Sequence, residues 1–311
     1  MKRNFVIILL CAVGFVTSPL MIHAQEVNIS TADTTNQDKI NREIFQRVYD
    51  KLIPYNSLPT SELVVKVALE FVGTKYLWAS LESVPEQLHV FLDKTDCILF
   101  VEMCTCFALT LQGKVLGKDI DDSLKANFIY STSDEVKPNY ELLCHNIQQM
   151  RYRNGVVDGY SSRIHYTSEW LLQNAANGVL REFTKDLGEE MTQEFYYMSM
   201  HPNTYYQLSL DPCELGRIRL MEDRLNDQKP YYRLTQAMLR KQEVMNEIHS
   251  GDIIAFISPR AGLDLAHVAI AYEVNGEMHF IHASYGKKRV VIEEKTLADY
   301  ATNGIRVARL F

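Results

Sequence analysis

The sequence predicts an α+β fold, and three observations carry that reading. Apolar residues in the first half recur at helical spacing. After His249 the texture changes to short β-rich runs with turn residues between them. Within those runs Asn275-Gly276 separates two strand-like segments, the strongest short signal for a hairpin.

The chain opens "MKRNFVIILLCAVGFVTSPLMIHAQE", with Lys2 and Arg3, an apolar run from Phe5 to Val16, and Ala24 before Gln25. This is the pattern of a secretory signal peptide over 1–24, and its apolar run is short for a membrane span. The expected product is exported and periplasmic, cut near Ala24, with no membrane span in the mature chain. Residues 25–40 are polar and read as a flexible lead-in. The remainder, 41–311, is expected to form a single domain, with 113–245 a large, mainly helical insertion between an apolar helix and a β-rich end.

Charge and composition exclude some classes of partner. The chain has 32 Lys and Arg against 39 Asp and Glu, a net charge of -7, and 47% apolar residues. A substantial core is available, and an acidic chain without a basic block suits neither nucleic acid nor anionic lipid. A monomer is expected, although nothing in the sequence fixes the oligomeric state. Cys97, Cys104, Cys106, Cys144 and Cys213 follow the leader. Five is odd, so at least one is free or pairs between chains; Cys144 and Cys213 are a possible pair.

Among the helices, "NREIFQRVYDKLI" places Ile44, Val48 and Ile53 on one stripe. "PTSELVVKVALEFVG" is capped by Thr60 and ended by Gly73. "DCILFVEMCTCFALTL" is oily nearly all round and should be buried. Thr95 and Asp96 are good cap residues for this last helix, so Cys97 falls in its first turn. A lone cysteine in an apolar helix is ordinarily a small buried hydrophobe. At a helix start, however, unpaired N–H groups and the dipole favour an anion and bias a thiol toward thiolate. In the middle region a helix is expected from Thr167 or Ser168 to Asn177.

The β end yields the sharpest geometry. A two-residue turn at Asn275-Gly276 sets Val274 opposite Glu277, Ala269 opposite His282 and His267 opposite Ser284. His267 and His282 are then diagonal neighbours on one face, close enough for their rings to bond, while His279 faces the other way. A cysteine nucleophile needs a base, and the base needs an orienting partner. Cys97, His267 and His282 satisfy that list, with the N–H groups of the Cys97 turn available to an oxyanion. No HExxH or comparable metal spacing is present, and no carboxylate is evident beside the two histidines. No metal or cofactor is therefore expected.

These segments resemble the NlpC-type, papain-like cell-wall cysteine peptidases: "GTKYLW" with Tyr76, "TDC" with Asp96 and Cys97, "GDIIAF", "HVAIA" with His267 and "FIHAS" with His282. The N-acetylmuramoyl-L-alanine amidase-like branch is matched more closely, by "DCILFVE", "SRIHYTSEW", "GLDLAHV" and "HAS" in that order. One departure is Leu99, where a hydroxyl residue is usual. The resemblance implies a papain-like core, with the Cys helix packed on an antiparallel sheet. It also implies cysteine-dependent hydrolysis of an amide in peptidoglycan or soluble muropeptides, between N-acetylmuramic acid and L-Ala.

The same resemblance assigns roles. Cys97 attacks, His267 shuttles the proton and His282 orients it. Tyr76 places a donor near the oxyanion, and Asp96 either contacts a free amine or serves only as a cap. Arg163, His165, Tyr166 and Trp170 face the cleft, the arginine suited to a carboxylate and the tryptophan to a sugar face. Asp264 contacts substrate or braces the loop before His267. His201 and Tyr205 are weaker candidates. Two other readings stand beside the amidase: a γ-D-glutamyl-diamino-acid endopeptidase acting on peptides with free L-Ala, and a wall-fragment binding protein without catalysis.

Overall fold

A computed structural model describes residues 31–117 and 138–311. The leader expected over 1–24 lies outside the described residues, as do 25–30 and 118–137. The long helices are α1 (Thr31–Leu52), α2 (Thr60–Glu70), α3 (Cys97–Leu111), α4 (Tyr140–Arg151), α5 (Thr167–Ala176) and α6 (Pro212–Asp227). The strands are β1 (Lys75–Tyr76), β2 (Lys94–Thr95), β3 (Leu180–Glu182), β4 (Glu189–Met191), β5 (Tyr231–Arg233), β6 (Ile253–Ile257), β7 (Leu265–Val274), β8 (Glu277–Ser284), β9 (Arg289–Ile292) and β10 (Ile305–Leu310).

Eight of these strands form one mixed sheet in the order β2-β1-β9-β8-β7-β6-β10-β3. Only β1 and β2 run parallel; the other neighbours are antiparallel. Because side chains alternate along a strand, the sheet presents two apolar faces. Val268, Ile270, Ile281 and Ala283 point into a cluster with α1 to α5. Ala269, Ala271, Phe280 and Phe256 point into a second cluster, closed by Leu239, Val244 and Leu297. A third cluster, around Tyr166, Phe195, Ile218 and Met221, holds α6 to the start of α5.

The helix α3 is sandwiched in the first cluster, and every residue but Ile98 is buried. Phe100 and Phe107 are fully enclosed there; removing either ring would cost about 3–5 kcal/mol. Close backbone approach fixes one junction. A Cβ at Gly251, just before β6, would sit 2.0 Å from the carbonyl oxygen of Ser61 in α2, so only glycine fits.

Two expectations need correction. Residues 31–40 are not a flexible lead-in, because α1 already runs from Thr31. Its polar residues have partners: Asn41 donates to the Val90 carbonyl at 2.8 Å and accepts from Leu92 N at 3.0 Å, and Gln37 donates to Asp93 at 2.8 Å. Composition marked the segment as solvated, yet Gln37 and, just past it, Asn41 bond to the 90–94 stretch. The stretch 113–245 is likewise more than a helical insertion. Its β3 extends the central sheet beside β10, β4 and β5 form a separate ribbon, and α4 and α5 contribute Leu143, Ile147, Trp170 and Leu171 to the main core.

Candidate active site

Cys97 is the first residue of α3, directly after β2. Asp96 caps the helix in an extended conformation, and its Oδ1 accepts from Leu99 N at 2.9 Å. Its other oxygen accepts from the Ser80 hydroxyl at 3.3 Å. Burial pushes the Asp96 carboxyl up, against the pull of those bonds. Cys97 itself is 1% exposed and lines a small cavity of about 100 Å³ together with His267.

The hairpin that carries the histidines is built as its turn dictates. Asn275 and Gly276 both have positive φ, 54° and 84°, as the favoured two-residue hairpin turn requires. Val274 faces Glu277 and Ile270 faces Ile281. That register makes His267 and His282 diagonal neighbours, with His267 Nε2 2.6 Å from His282 Nδ1. Both lie on the sheet face of Ala269, Ala271 and Phe280, opposite the face under the body of α3. In the ladder between β6 and β7, Phe256 pairs with His267 and Ile257 with Leu265, so Ala266 is an extra residue. Such a bulge bends its strand and re-aims the side chains beside it.

Behind the pair stands a residue that sequence reasoning missed. Glu293 Oε2 lies 3.3 Å from His282 Nε2, so the face does have a carboxylate. The same diagonal rule, carried one strand further, would have found it. His282 pairs with Val291 of β9, and Glu293, two residues on, shares its face. The His282 hydrogen bond holds Glu293 down at about 2, against burial and helped by the backbone N–H of Lys295.

This carboxylate sets the protons along the chain. It accepts, so His282 Nε2–H donates, and in the neutral ring His282 Nδ1 is then the acceptor. His267 Nε2–H then donates to His282, which leaves His267 Nδ1 as the free acceptor. Burial keeps His267 well below the usual imidazole range and hence neutral. Tyr300 packs edge-on to His282 at 6.0 Å. Its hydroxyl is pushed up to about 12 by burial and by the nearby charges of Glu293 and Cys97, which brings the thiol within electrostatic reach of this cluster. The three members stand in line, each bonded to the next, and do not converge on one point. Among the described residues no group of three or more His, Cys, Asp or Glu is arranged to hold a metal ion.

The middle region reaches the same cavity, whose wall includes Arg163, His165, Tyr166, Trp170 and Asp264. Most of them are already bonded within the fold. The guanidinium of Arg163 is buried between Glu82 and Glu86, each 3.0 Å away, and its charge is already answered. Trp170 is 2% exposed and presents no open face to a sugar. His165 donates to the Tyr160 carbonyl at 2.9 Å, and burial together with Arg163 keeps it neutral. Tyr166 donates to Glu222 at 2.8 Å. Asp264 accepts from Ser168 N at 2.6 Å, capping α5 from the loop before β7. Tyr76 sits in β1 with its ring edge-on to Tyr285, outside the cavity lining. Tyr205 lines the cavity, whereas His201 lies exposed outside that lining.

Sequence reading also missed the buried pair of Glu102 and Arg151, 2.7 Å apart in the cavity wall. Arg151 donates further to the His89 carbonyl. Burial pushes Glu102 up and Arg151 draws it back. None of the five described cysteines after the leader forms a disulfide, so Cys144 and Cys213 do not pair.

A family model described as N-acetylmuramoyl-L-alanine amidase-like matches residues 66–305. Among solved structures, an N-acetylmuramoyl-L-alanine amidase from Bacteroides uniformis is 29% identical with a TM-score of 0.68, covering 81% of this chain and 98% of that one. A Bacteroides fragilis protein provisionally named a xylanase is 29% identical with a TM-score of 0.64, covering 78% and 99%. A Legionella pneumophila protein at 18% identity and a TM-score of 0.61, covering 89% and 96%, shares the fold. No curated protein matches the sequence.

Proposed function

Because the chain belongs to the N-acetylmuramoyl-L-alanine amidase-like family, we propose that it is a cysteine hydrolase of the papain-like, NlpC type. Its reaction is cleavage of the amide between N-acetylmuramic acid and L-Ala in peptidoglycan or soluble muropeptides. The observation that carries this reading is a cavity shared by Cys97, at a helix start, and His267, whose far nitrogen is held by His282 and Glu293.

The mechanism follows from those parts. His267 Nδ1 takes the thiol proton as Cys97 Sγ attacks the amide carbonyl. The imidazolium that forms is stabilised through His282 by the Glu293 carboxylate, two rings away. N–H groups opening α3 face the developing oxyanion. His267 then passes its proton to the leaving amine of L-Ala, and water hydrolyses the thioester by the reverse route.

The state of Asp96 favours the amidase over the endopeptidase. Recognition of a free L-Ala amine would call on that carboxylate, and both of its oxygens are engaged, by Leu99 N and Ser80. The opening "MKRNFVIILL" supports export, and we place the enzyme in the periplasm. The deciding experiment is mass spectrometry of products from two defined substrates, one bearing the sugar and one beginning with free L-Ala, using wild type and Cys97→Ala. Release of intact peptide from the sugar by wild type alone supports the proposal. Cleavage only of the free L-Ala substrate, after D-Glu, would replace it with the endopeptidase. Absence of any Cys97-dependent product would leave a binding protein.

A further inference from the structure

A second cavity, of about 560 Å³, lies between α1 and the 77–94 loop. It adjoins the site just described. Ser80 lines it, the next residue Leu81 lines the Cys97 cavity, and Ser80 is bonded to the Asp96 cap of the Cys97 helix. A substrate whose reacting bond lies at Cys97 therefore has somewhere to put one of its two sides.

The chemistry of this cavity selects which side. Two wall residues, Trp78 and His89, carry buried ring nitrogens, Nε1 and Nε2, that find no hydrogen-bond partner among the described residues. Buried donors and acceptors left unmatched are uncommon, and a cavity wall is where a ligand supplies the match. His89 is 7% exposed, and burial with Arg151 nearby keeps it neutral. The flat wall is aromatic: Phe91 stacks on His89 with planes 8° apart, and Trp78 stands edge-on to Tyr285. The charges cancel or repel anions. Lys94 lies 3.8 Å from Asp93 and 2.7 Å from Gln37, and Asp38 also faces the space.

Neutral hydrogen-bonding groups beside aromatic faces suit a sugar ring with its hydroxyl and acetamido groups. A stem peptide bearing several carboxylates would find the one lining lysine, Lys94, already set against Asp93, and Asp38 paired with Arg42. We propose that this cavity is the glycan subsite, holding an N-acetylhexosamine of the muropeptide while the amide reaches Cys97. The proposal rests on the amidase reading and replaces the sugar-stacking role expected of the buried Trp170.

The chain contains two tryptophans, so its NMR spectrum carries two indole N–H signals, and Trp78→Phe assigns them. The test uses the full Cys97→Ala chain, titrated separately with the disaccharide of N-acetylglucosamine and N-acetylmuramic acid and with the sugar-free L-Ala–D-Glu–diamino-acid tripeptide. The disaccharide should shift the Trp78 indole signal, the tripeptide should not, and Trp78→Ala should weaken disaccharide binding about tenfold with the fold intact by circular dichroism. A Trp78 signal moved by the tripeptide alone would make this the peptide side and overturn the proposal. A signal moved by neither ligand would do the same. Turnover by the wild type is read separately. Loss of all turnover with a disaccharide-dependent shift would sink the amidase reading and leave the glycan subsite standing.

Discussion

Two buried polar arrays meet at one cavity, and they use charge in opposite ways. In the array of His267, His282 and Glu293, a single carboxylate at one end anchors two imidazoles bonded in line. In the array of Glu102, Arg151, Arg163, Glu82 and Glu86, each cation faces a carboxylate within about 3 Å. The first is a relay in which each member bonds the next. In the second each charge is closed by a partner, although Arg163 Nε donates no hydrogen bond, and one oxygen each of Glu82 and Glu86 accepts none, among the described residues. Nearness to a reactive group therefore does not identify a participant. The chemistry left to each group does: a neutral imidazole can take a proton, and a guanidinium paired with carboxylates cannot.

The comparison can be broken most sharply at its reactive end. Cys97→Ala and His267→Ala should each lower turnover by at least about a thousandfold with little change in fold. His282→Ala should leave residual activity. Full activity in Cys97→Ala would remove the thiol from the mechanism altogether. The closed array should answer differently. Arg151→Met strands Glu102 as a buried charge and should cost about 3–5 kcal/mol in urea unfolding. The double variant Glu102→Leu/Arg151→Met should recover most of that loss. A double variant as unstable as the single one would mean that Arg151 matters through other contacts, such as the His89 carbonyl.

Glu293→Gln is a subtler probe. Gln keeps the size but not the charge, and turnover should fall about ten- to a hundredfold with substrate binding nearly unchanged. The same variant has a pH signature. Glu293 titrates near 2 in the fold against an ordinary 4.5, so its contribution is present above about 4.5 and is lost as pH falls toward 2. Wild type should therefore lose more stability than Glu293→Gln across that window, and parallel acid-unfolding curves would contradict the assignment. The smallest effect is expected at the far end of the hairpin. Gly276→Ala meets no neighbour but must adopt φ of +84°, and should cost about 1 kcal/mol without changing turnover. A large loss of activity there would show that the histidine register depends on this turn more than the rest of the sheet ladder suggests.

The parts legible in the sequence were those set by local rules. The β-rich runs after His249 became β6 to β10, because alternation and turn residues specify strands within a few positions. The diagonal contact of His267 with His282 followed from two residues, Asn275 and Gly276. The Asp96 cap and the buried α3 followed from one polar residue before an oily run. What stayed hidden depends on pairing across distance. Glu293 looks generic in "VVIEEK" until β9 is set in register against β8. Arg163 looks like a free cation until an aperiodic loop brings Glu82 and Glu86 to it. Glu102 looks anomalous in an apolar helix until Arg151, 49 residues on, arrives beside it. The helix around Gln37 was misread because polar composition does not tell a solvated side chain from one that bonds to another loop, as Gln37 does to Asp93 and Lys94.

The narrowness of the cavity around Cys97 bears on how such a thiol survives. This chain's cysteines differ in access. Cys104 and Cys106 are sealed in the core, where burial holds their thiols well above the usual range. Cys213 stands exposed and open to any oxidant. Cys97 falls between, 1% exposed yet lining a cavity of about 100 Å³. An oxidant that must enter that cavity to reach Cys97 should therefore modify it more slowly than it modifies Cys213.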